Sequence, residues 1–445
     1  MSNTNIHNNP WTPTDEGDHY PSMKEWWSVE TLFRTIDDNK KWSLKGTIAY
    51  ELETPSCFME NILFDITLNK CIIHKAVNDD LKKFIHNKDK VDLRYKNFTL
   101  TGLYPDYHLH IEDETTSFST DMILKAKILP HWSAQDITNG YLPVGLGHFR
   151  YGWILNCDLT GTITLNNEEH NIKGKGYLEH AWGNWSYSNP FKKFSDVKKT
   201  VSTYGRLINW WFSNHKLRIP EKIVFTSENN PFGYDWLWGV FKNEWSFFYG
   251  NSLYWISEGP AFGVLTLFTE GNNYIDFSDI RFRYNKTAYI KKYDLYYPTD
   301  VTITAKLDDK NIKIRAQPVC DPFEYVDEFK GDGFYKAFIM PEMPGRITGV
   351  YFDDEKTIKL EGDCKIERQR QPSKLGHNSL AIDFLKPPKG VGVSFELDSH
   401  YLKKKLIAGI QLIPQPTIMF NVHKVEFNNH IKQIAFSLSD RKKSS

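Results

Sequence analysis

Short runs of apolar and polar residues, separated by polar turns, recur along most of the chain. Strand-like runs rich in β-branched and aromatic residues are Lys45–Glu51, Asn61–Thr67, Met122–Leu129, Tyr151–Leu155, Gly161–Leu165, Trp245–Tyr249, Gly263–Phe268, Val301–Leu307 and Gly392–Leu397. Asn166-Asn167, Asp308-Asp309 and Asp353-Asp354 stand where hairpin turns are expected. This spacing predicts an all-β chain built from sandwiches or barrels.

An internal repeat indicates two similar halves. Glu25-Trp26-Trp27 opens the first half and Asp235-Trp236-Leu237-Trp238 opens the second. Each half then closes on a strand-like segment that runs from glycine to glutamate, 174–179 in the first half and 362–367 in the second. The same order in both halves predicts two barrels of related construction.

The length of 445 residues also favours two domains, because one hydrophobic core seldom grows so large. The predicted divisions are a flexible leader at 1–20, a first barrel at 21–190, a connector at 191–231, a second barrel at 232–440 and a tail at 441–445.

The connector contains the one helix that the pattern predicts. Val201, Tyr204, Ile208 and Trp211 recur at helical spacing, among several lysines and arginines. One interpretation is a connector helix packed on a barrel. The other is an interfacial helix at residues 192–218, with basic side chains on anionic headgroups and tryptophans at the membrane surface.

Composition excludes several classes of protein. The 55 basic and 55 acidic residues balance, which argues against a general nucleic-acid binder. The five cysteines lack the spacing of a zinc site or a redox dithiol, so we expect reduced thiols. No apolar signal segment or membrane-spanning stretch is evident, which predicts a cytoplasmic protein. Aromatic residues make up 15% of the chain, a composition that suits large cores and ligand cavities.

The segment 174–185 holds the best candidate for chemistry. On a strand, Tyr177 and Glu179 would share one face. A carboxyl group there, among Trp26, Trp182 and Trp185, would be desolvated, and burial raises its pKa. Glu179 is therefore predicted to be a protonated acid near neutral pH.

Two questions stay open for this segment. His180 points away from Glu179 on an ideal strand, and a break at residues 181–183 would be needed to re-aim it. Alternatively, Glu179 has a structural role and caps a barrel end through backbone N–H groups.

Three short strings resemble a known family. Residues 176–184, Gly-Tyr-Leu-Glu-His-Ala-Trp-Gly-Asn, resemble the Gly-Tyr-His-Asp-His-Asn-Trp-Gly signature of carotenoid 1,2-hydratases (hydroxyneurosporene synthases). They are also similar to the matching segment of the lipocalin-like fungal Diels–Alderases. Glu25-Trp26-Trp27 resembles the opening Glu-Trp-Trp of that superfamily, and residues 236–239 resemble the Trp-Tyr-Trp-Gly of its second barrel. The resemblance extends over residues 21–400.

The resemblance implies two lipocalin-like (calycin) antiparallel β-barrel domains, joined here by one helical segment, with an apolar pocket at or near their junction. Glu179 stands at the position of the signature aspartate, whereas Tyr177, His180 and Trp182 match directly. Leu178 replaces a histidine of the hydratases, which argues against a two-histidine relay.

Three functions follow as hypotheses. The first is an enzyme that protonates a C=C bond of a hydrophobic polyene or isoprenoid and so starts hydration or cyclisation. The second is a pericyclase that folds a linear polyene into a reactive conformer. The third is a non-catalytic carrier of an apolar ligand.

The predicted catalytic residues are Glu179, His180 and Tyr177. The predicted substrate-binding residues are Glu25, Trp26, Trp27, Trp182, Trp185, Trp236 and Trp238. No metal, cofactor or nucleic acid is expected. The expected partners are a hydrophobic small molecule and, through residues 192–218, the surface of a membrane.

Overall fold

A computed structural model gives the fold. It describes residues 11–186, 196–214, 222–226 (backbone only), 233–252, 258–329, 335–353, 356–372, 374, 378–385, 390–399, 401–413 and 415–424. The described residues form antiparallel strands, with two α-helices, α1 (Gln135–Thr138) and α2 (Val197–Asn214). The prediction of an all-β chain with one connecting helix is therefore confirmed. The predicted tail at 441–445 lies outside the described residues.

The first half is a curled sheet of twelve strands. Their bounds are β1 Lys24–Thr35, β2 Lys41–Glu51, β3 Ser56–Asp65, β4 Lys70–Asp80, β5 Val91–Tyr95, β6 Phe98–Leu103, β7 Asp106–Asp113, β8 Phe118–Ala126, β9 His131–Trp132, β10 Tyr141–Val144, β11 Gly147–Leu165 and β12 Glu168–Asn184. Their order is β4-β3-β2-β1-β12-β11-β8-β7-β6-β5, and β9 and β10 pair with β11.

The second half repeats this design with eleven strands. Their bounds are β14 Tyr234–Phe241, β15 Ser246–Asn251, β16 Glu258–Pro260, β17 Gly263–Phe268, β18 Tyr274–Asp276, β19 Asp279–Ile290, β20 Leu295–Leu307, β21 Lys310–Pro318, β22 Phe323–Glu328, β23 Ala337–Asp353 and β24 Lys356–Gln369. Their order is β16-β19-β20-β21-β23-β24-β14-β15-β17-β18, and β22 pairs with β23.

Five further strands form a third sheet, which is separate from the two large sheets in its strand pairing. Its strands are β13 Lys222–Thr226, β25 Asn378–Leu385, β26 Val391–Ser399, β27 Lys404–Ile413 and β28 Thr417–Lys424, in that order. The sequence pattern had placed the last four in the second barrel. In the structure they pair with one another and with β13, a strand of the connector region.

The repeat read from the sequence is visible in the strand pairing. In the first half, the opening strand β1 pairs with the closing strand β12, and in the second half β14 pairs with β24 in the same way. Each half thus folds back so that its first and last long strands lie side by side. These paired strands carry the motifs, which is why the two motifs of each half come together.

The N-terminal segment is folded onto the first half from residue 11 onward. The indole of Trp27 donates to the backbone oxygen of Glu16, and the Tyr107 hydroxyl donates to the Glu16 carboxylate. Arg150 pairs with Asp15 at 2.9 Å. The second part of the predicted leader therefore closes over the interior of the first barrel.

Candidate functional site

Alternation along β1 and β12 separates two polar clusters. Trp26 on β1 lies on the same face as Tyr177 and Glu179 on β12, because Trp26 pairs with Ala181 and Ser28 with Glu179. Side chains from the second half pack against this face, which we call the junction face. The alternate residues, Trp27 and His180 among them, point into the first barrel.

The Oε2 atom of Glu179 and the hydroxyl oxygens of Tyr151 and Tyr177 form a ring of three oxygen atoms on the junction face. Glu179 Oε2 lies 2.6 Å from the Tyr151 hydroxyl and 2.7 Å from the Tyr177 hydroxyl, and the two hydroxyls lie 2.7 Å apart. The indole of Trp26 donates to Oε1 at 2.9 Å. From the second half, the Trp236 indole donates to the Tyr151 oxygen at 3.0 Å.

All three contacts of this ring can be hydrogen bonds only when Glu179 carries a proton. Three oxygen–oxygen contacts at hydrogen-bond distance require three hydrogens, and the two tyrosines supply only two. With an ionised carboxylate, both tyrosines would donate to Glu179 and their mutual contact would join two acceptors. Burial raises the pKa of Glu179, the nearby Glu367 charge raises it further, and the Tyr151 and Tyr177 hydrogen bonds only partly oppose this.

Glu179 is only partly buried, although its neighbours are packed. Trp26, Thr47, Ala49 and Phe149 are likewise only partly buried. All five lie on the junction face, by their register in β1, β2, β11 and β12. This part of the junction face is therefore not completely covered.

Aromatic rings lie around Glu179 on the junction face. The Trp26 ring centroid lies 5.3 Å from that of Trp185, and Tyr177 lies 5.4 Å from Trp236 and 5.5 Å from Trp238. Such rings offer apolar contact area and negative π faces in one place.

A second group of charges ties the halves together beside the ring. Lys45 of the first half contacts Glu342 and lies 2.8 Å from Glu367 of the second half. Lys365 of the second half reciprocates, at 3.2 Å from Glu30 and 3.7 Å from Glu342. Burial raises the pKa of Glu30 to about 7 and that of Glu342 well above its ordinary value. Three carboxyl groups thus share two ammonium groups. The raised pKa values of Glu30 and Glu342 favour protonation where no ammonium group is left to pair.

The interior-face cluster is centred on Glu25. His180 Nε2 lies 2.7 Å from Glu25 Oε1, and the opposite ring nitrogen lies 2.8 Å from the Asp15 carbonyl. His19 and Tyr50 also contact the Glu25 carboxylate, at 3.0 and 2.8 Å. These donors outweigh burial and lower the pKa of Glu25, whereas burial lowers the pKa of His180.

Two sets of described residues have the donors that a divalent metal ion requires. One is His19, Glu25 and His180, and the other is Glu30, Glu342 and Glu367. Hydrogen bonds already engage the first set, and the two buried lysines already neutralise the second. We assign a metal to neither.

Several crystal structures match most of this chain. An AttH-like protein from Nitrosomonas europaea is 15% identical with a TM-score of 0.54, and the match covers 80% of this chain and 96% of that one. Kievitone hydratase from Nectria haematococca is 12% identical with a TM-score of 0.51, covering 82% and 95%. The chain shares the lipocalin-like fold of these two proteins. CghA with Sch210972 matches at 9% identity and a TM-score of 0.46, covering 79% and 89%. No protein-family model and no curated protein matches the sequence.

Within this fold, the predicted site residues divide between the two faces. Tyr177, Trp26, Trp236 and Trp238 join Glu179 at the junction, and Trp185 contacts Trp26 there. Four predicted residues, Glu25, Trp27, His180 and Trp182, belong to the interior face instead.

The break at residues 181–183 that would re-aim His180 does not occur. β12 continues through residues 181–183 to Asn184, paired on both sides. His180 therefore stays on the face opposite Glu179 and stacks on Trp27 at 4.4 Å between ring centroids. The Glu179 carboxyl lies where the two halves meet, because its partner Tyr151 accepts a hydrogen bond from Trp236 of the second half.

Tyr151 belongs to the ring of three oxygen atoms, although the sequence pattern does not predict it as a site residue. The turn at Asn166-Asn167 was a signal, because it joins β11 to β12 and brings Tyr151 near residues 181 and 182. A bulge between Ile154 and Cys157 shifts the register by one residue. That shift moves Tyr151 from the interior face to the junction face. No local sequence pattern predicts the bulge.

Proposed function

We propose that this protein is an enzyme that protonates a C=C bond of a hydrophobic polyene or isoprenoid at the junction of its two halves, and thereby starts hydration or cyclisation. The observation that supports this most is the three-oxygen ring, in which a partly exposed glutamate needs a proton to satisfy its neighbours. The shared fold with kievitone hydratase, a hydratase by name, supports the same reaction class.

In the proposed reaction, Glu179 is the general acid. Its O–H bond breaks as a C–H bond forms on the substrate, which leaves a carbocation beside the junction tryptophans. The π faces of Trp26 and Trp236 stabilise that cation, by about 2 kcal/mol each once water is excluded. Addition of water completes a hydration, and attack by a second C=C bond completes a ring closure.

The same hydrogen bonds that hold the acid also receive its conjugate base. Once Glu179 is ionised, Tyr151 and Tyr177 can both donate to Oε2 while the Trp26 indole donates to Oε1. Donors placed where negative charge develops lower the barrier without reorganisation. The proton released by the added water, or by the cyclised cation, returns to Glu179.

The test compares wild type with Glu179→Gln on a panel of prenylated phenols and linear polyenes in D₂O. We expect the wild-type product to contain one carbon-bound deuterium and the variant to lose turnover by about 100-fold or more. Turnover without deuterium incorporation would indicate a pericyclase, and ligand recovered unchanged would indicate a carrier. Either result overturns the proposal.

The control is His180→Gln, which alters the interior face and leaves the junction ring in place. If folded His180→Gln loses as much turnover as Glu179→Gln and gives the same deuterium pattern, the loss of turnover does not identify Glu179 of the junction ring as the acid.

A further inference from the structure

Helix α2 presents an apolar stripe to solvent. Val197, Val201, Ile208 and Phe212 are 46%, 62%, 41% and 59% exposed. At 3.6 residues per turn they fall within about 60° of the helix circumference. Solvent-facing helix surfaces are normally polar, so this stripe requires an explanation.

The side of α2 that adjoins this stripe is fixed to both halves of the protein. Thr200 lies 3.0 Å from His148, and Tyr204 donates to the Gly145 carbonyl at 2.9 Å, both in the first half. Trp211 donates to the Ala261 carbonyl of the second half at 2.8 Å. The helix is therefore held in one orientation, which directs the stripe outward.

The charges on α2 fit a negatively charged surface. Lys198, Lys199 and Arg206 are its only charged residues, and Val197–Asn214 includes no acidic residue. Lys198 and Arg206 are exposed and lie on the polar flank next to the stripe. A basic polar flank beside an apolar stripe is the composition of helices that lie in a membrane interface.

We propose that α2 binds the surface of an anionic lipid bilayer, with Val201 and Phe212 inserted between headgroups and Lys198 and Arg206 on lipid phosphates. No helix among the described residues is long and apolar enough to cross a bilayer. The next residue after His148 is Phe149, whose ring lies 6.1 Å from that of Trp26, a hydrogen-bond partner of Glu179. If the proposed function holds, an apolar substrate can then pass from the lipid to the junction over a short distance.

The test is co-sedimentation of the full chain with vesicles of phosphatidylcholine containing phosphatidylserine, or of phosphatidylcholine alone, at low and high salt. We expect wild type to bind the anionic vesicles at low salt. Val201→Ser/Phe212→Ser should weaken this binding by about tenfold or more, because both side chains are exposed and their loss leaves the fold intact. Lys198→Glu/Arg206→Glu should weaken it similarly and remove its salt dependence. Trp211 is unsuitable for this test because it is hydrogen-bonded to the second half.

The matched control is Ile418→Ser/Phe420→Ser, which removes two equally exposed apolar side chains from β28 of the third sheet. It should bind vesicles like wild type. The proposal fails if wild type does not bind, or if the β28 variant loses binding while the α2 variants keep it at unchanged melting temperature. Because no substrate is present, such a failure would leave the role of Glu179 untouched.

Discussion

Glu179 and Glu367 stand at corresponding places in the two halves, each five residues after a glycine on the closing strand. Both face the junction, where burial alone would raise the pKa of either carboxyl group. Glu367 is bonded to the Lys45 ammonium and the Tyr234 hydroxyl, and the lysine reverses the effect of burial, so its pKa is lowered. Glu179 has only neutral donors, and its pKa stays raised.

This difference indicates that a cation from the other half decides which of the two glutamates has a lowered pKa. Lys45 comes from β2 of the first half, yet it pairs with a carboxylate of the second. The hydrogen bonds of Glu179 come from Trp26, Tyr151 and Tyr177, which are all neutral. The repeat therefore supplies two similar carboxyl groups, and the junction gives one an ion pair and the other neutral donors.

The acidic residues that open the two halves, Glu25 and Asp235, also differ in whether a permanent cation is bonded to them. Glu25 is bonded to His180 and Tyr50, whereas Asp235 is bonded to Arg370, at 2.7 Å, and Tyr284. Arginine stays charged at every physiological pH, so the Asp235 pair is structural.

The largest expected effect concerns Lys45. Lys45→Met removes the cation shared by Glu342 and Glu367 and leaves buried negative charge, so we expect a loss of about 3–5 kcal/mol in the free energy of unfolding. Urea denaturation measures it. Lys41→Met is the matched control, because Lys41 is on the same strand and also reaches the second half, but its pair with Asp363 is exposed. A comparable loss in both variants would refute a special role for Lys45.

The two glutamates should respond differently to the same replacement. Glu367→Gln weakens a buried ion pair, whereas Glu179→Gln exchanges one neutral group for another of similar shape. We expect Glu367→Gln to cost about 2 kcal/mol more in unfolding free energy than Glu179→Gln. Equal costs would mean that both carboxyls are ionised in the folded protein.

The pH dependence of turnover sharpens the comparison further. Activity that needs protonated Glu179 is lost as the pH rises through the pKa of this group. Tyr151→Phe removes a donor that favours the ionised form, so the falling limb of kcat/KM should move to higher pH by about one unit, the equivalent of one hydrogen bond to a charged group. Movement to lower pH would contradict the assigned protonation.

The smallest expected effect concerns Glu30 and is a change in how steeply the stability of the protein depends on pH. The pKa of Glu30 is raised from 4.5 to about 7, so its contribution to stability is full below pH 4.5 and is lost as the pH rises through 7. Glu30→Gln stays neutral and should flatten the melting temperature between these values. An unchanged slope would assign that proton to another group.

The sequence predicted what local pattern determines. Alternation placed Tyr177 and Glu179 on one face, and the paired motifs predicted two similar halves. It could not predict Lys45 as the partner of Glu367, because these residues lie 322 positions apart and meet only when the halves pack. Nor could it predict the bulge in β11 that turns Tyr151 toward Glu179.

The most direct test of the account is the protonation state of Glu179 at neutral pH. Infrared difference spectra of wild type minus Glu179→Gln and of wild type minus Glu367→Gln isolate one carboxyl group each. The account predicts the carbonyl stretch of a protonated carboxylic acid in the first difference and carboxylate bands in the second. Carboxylate bands in the Glu179 difference spectrum would contradict the central claim that this glutamate is the acid.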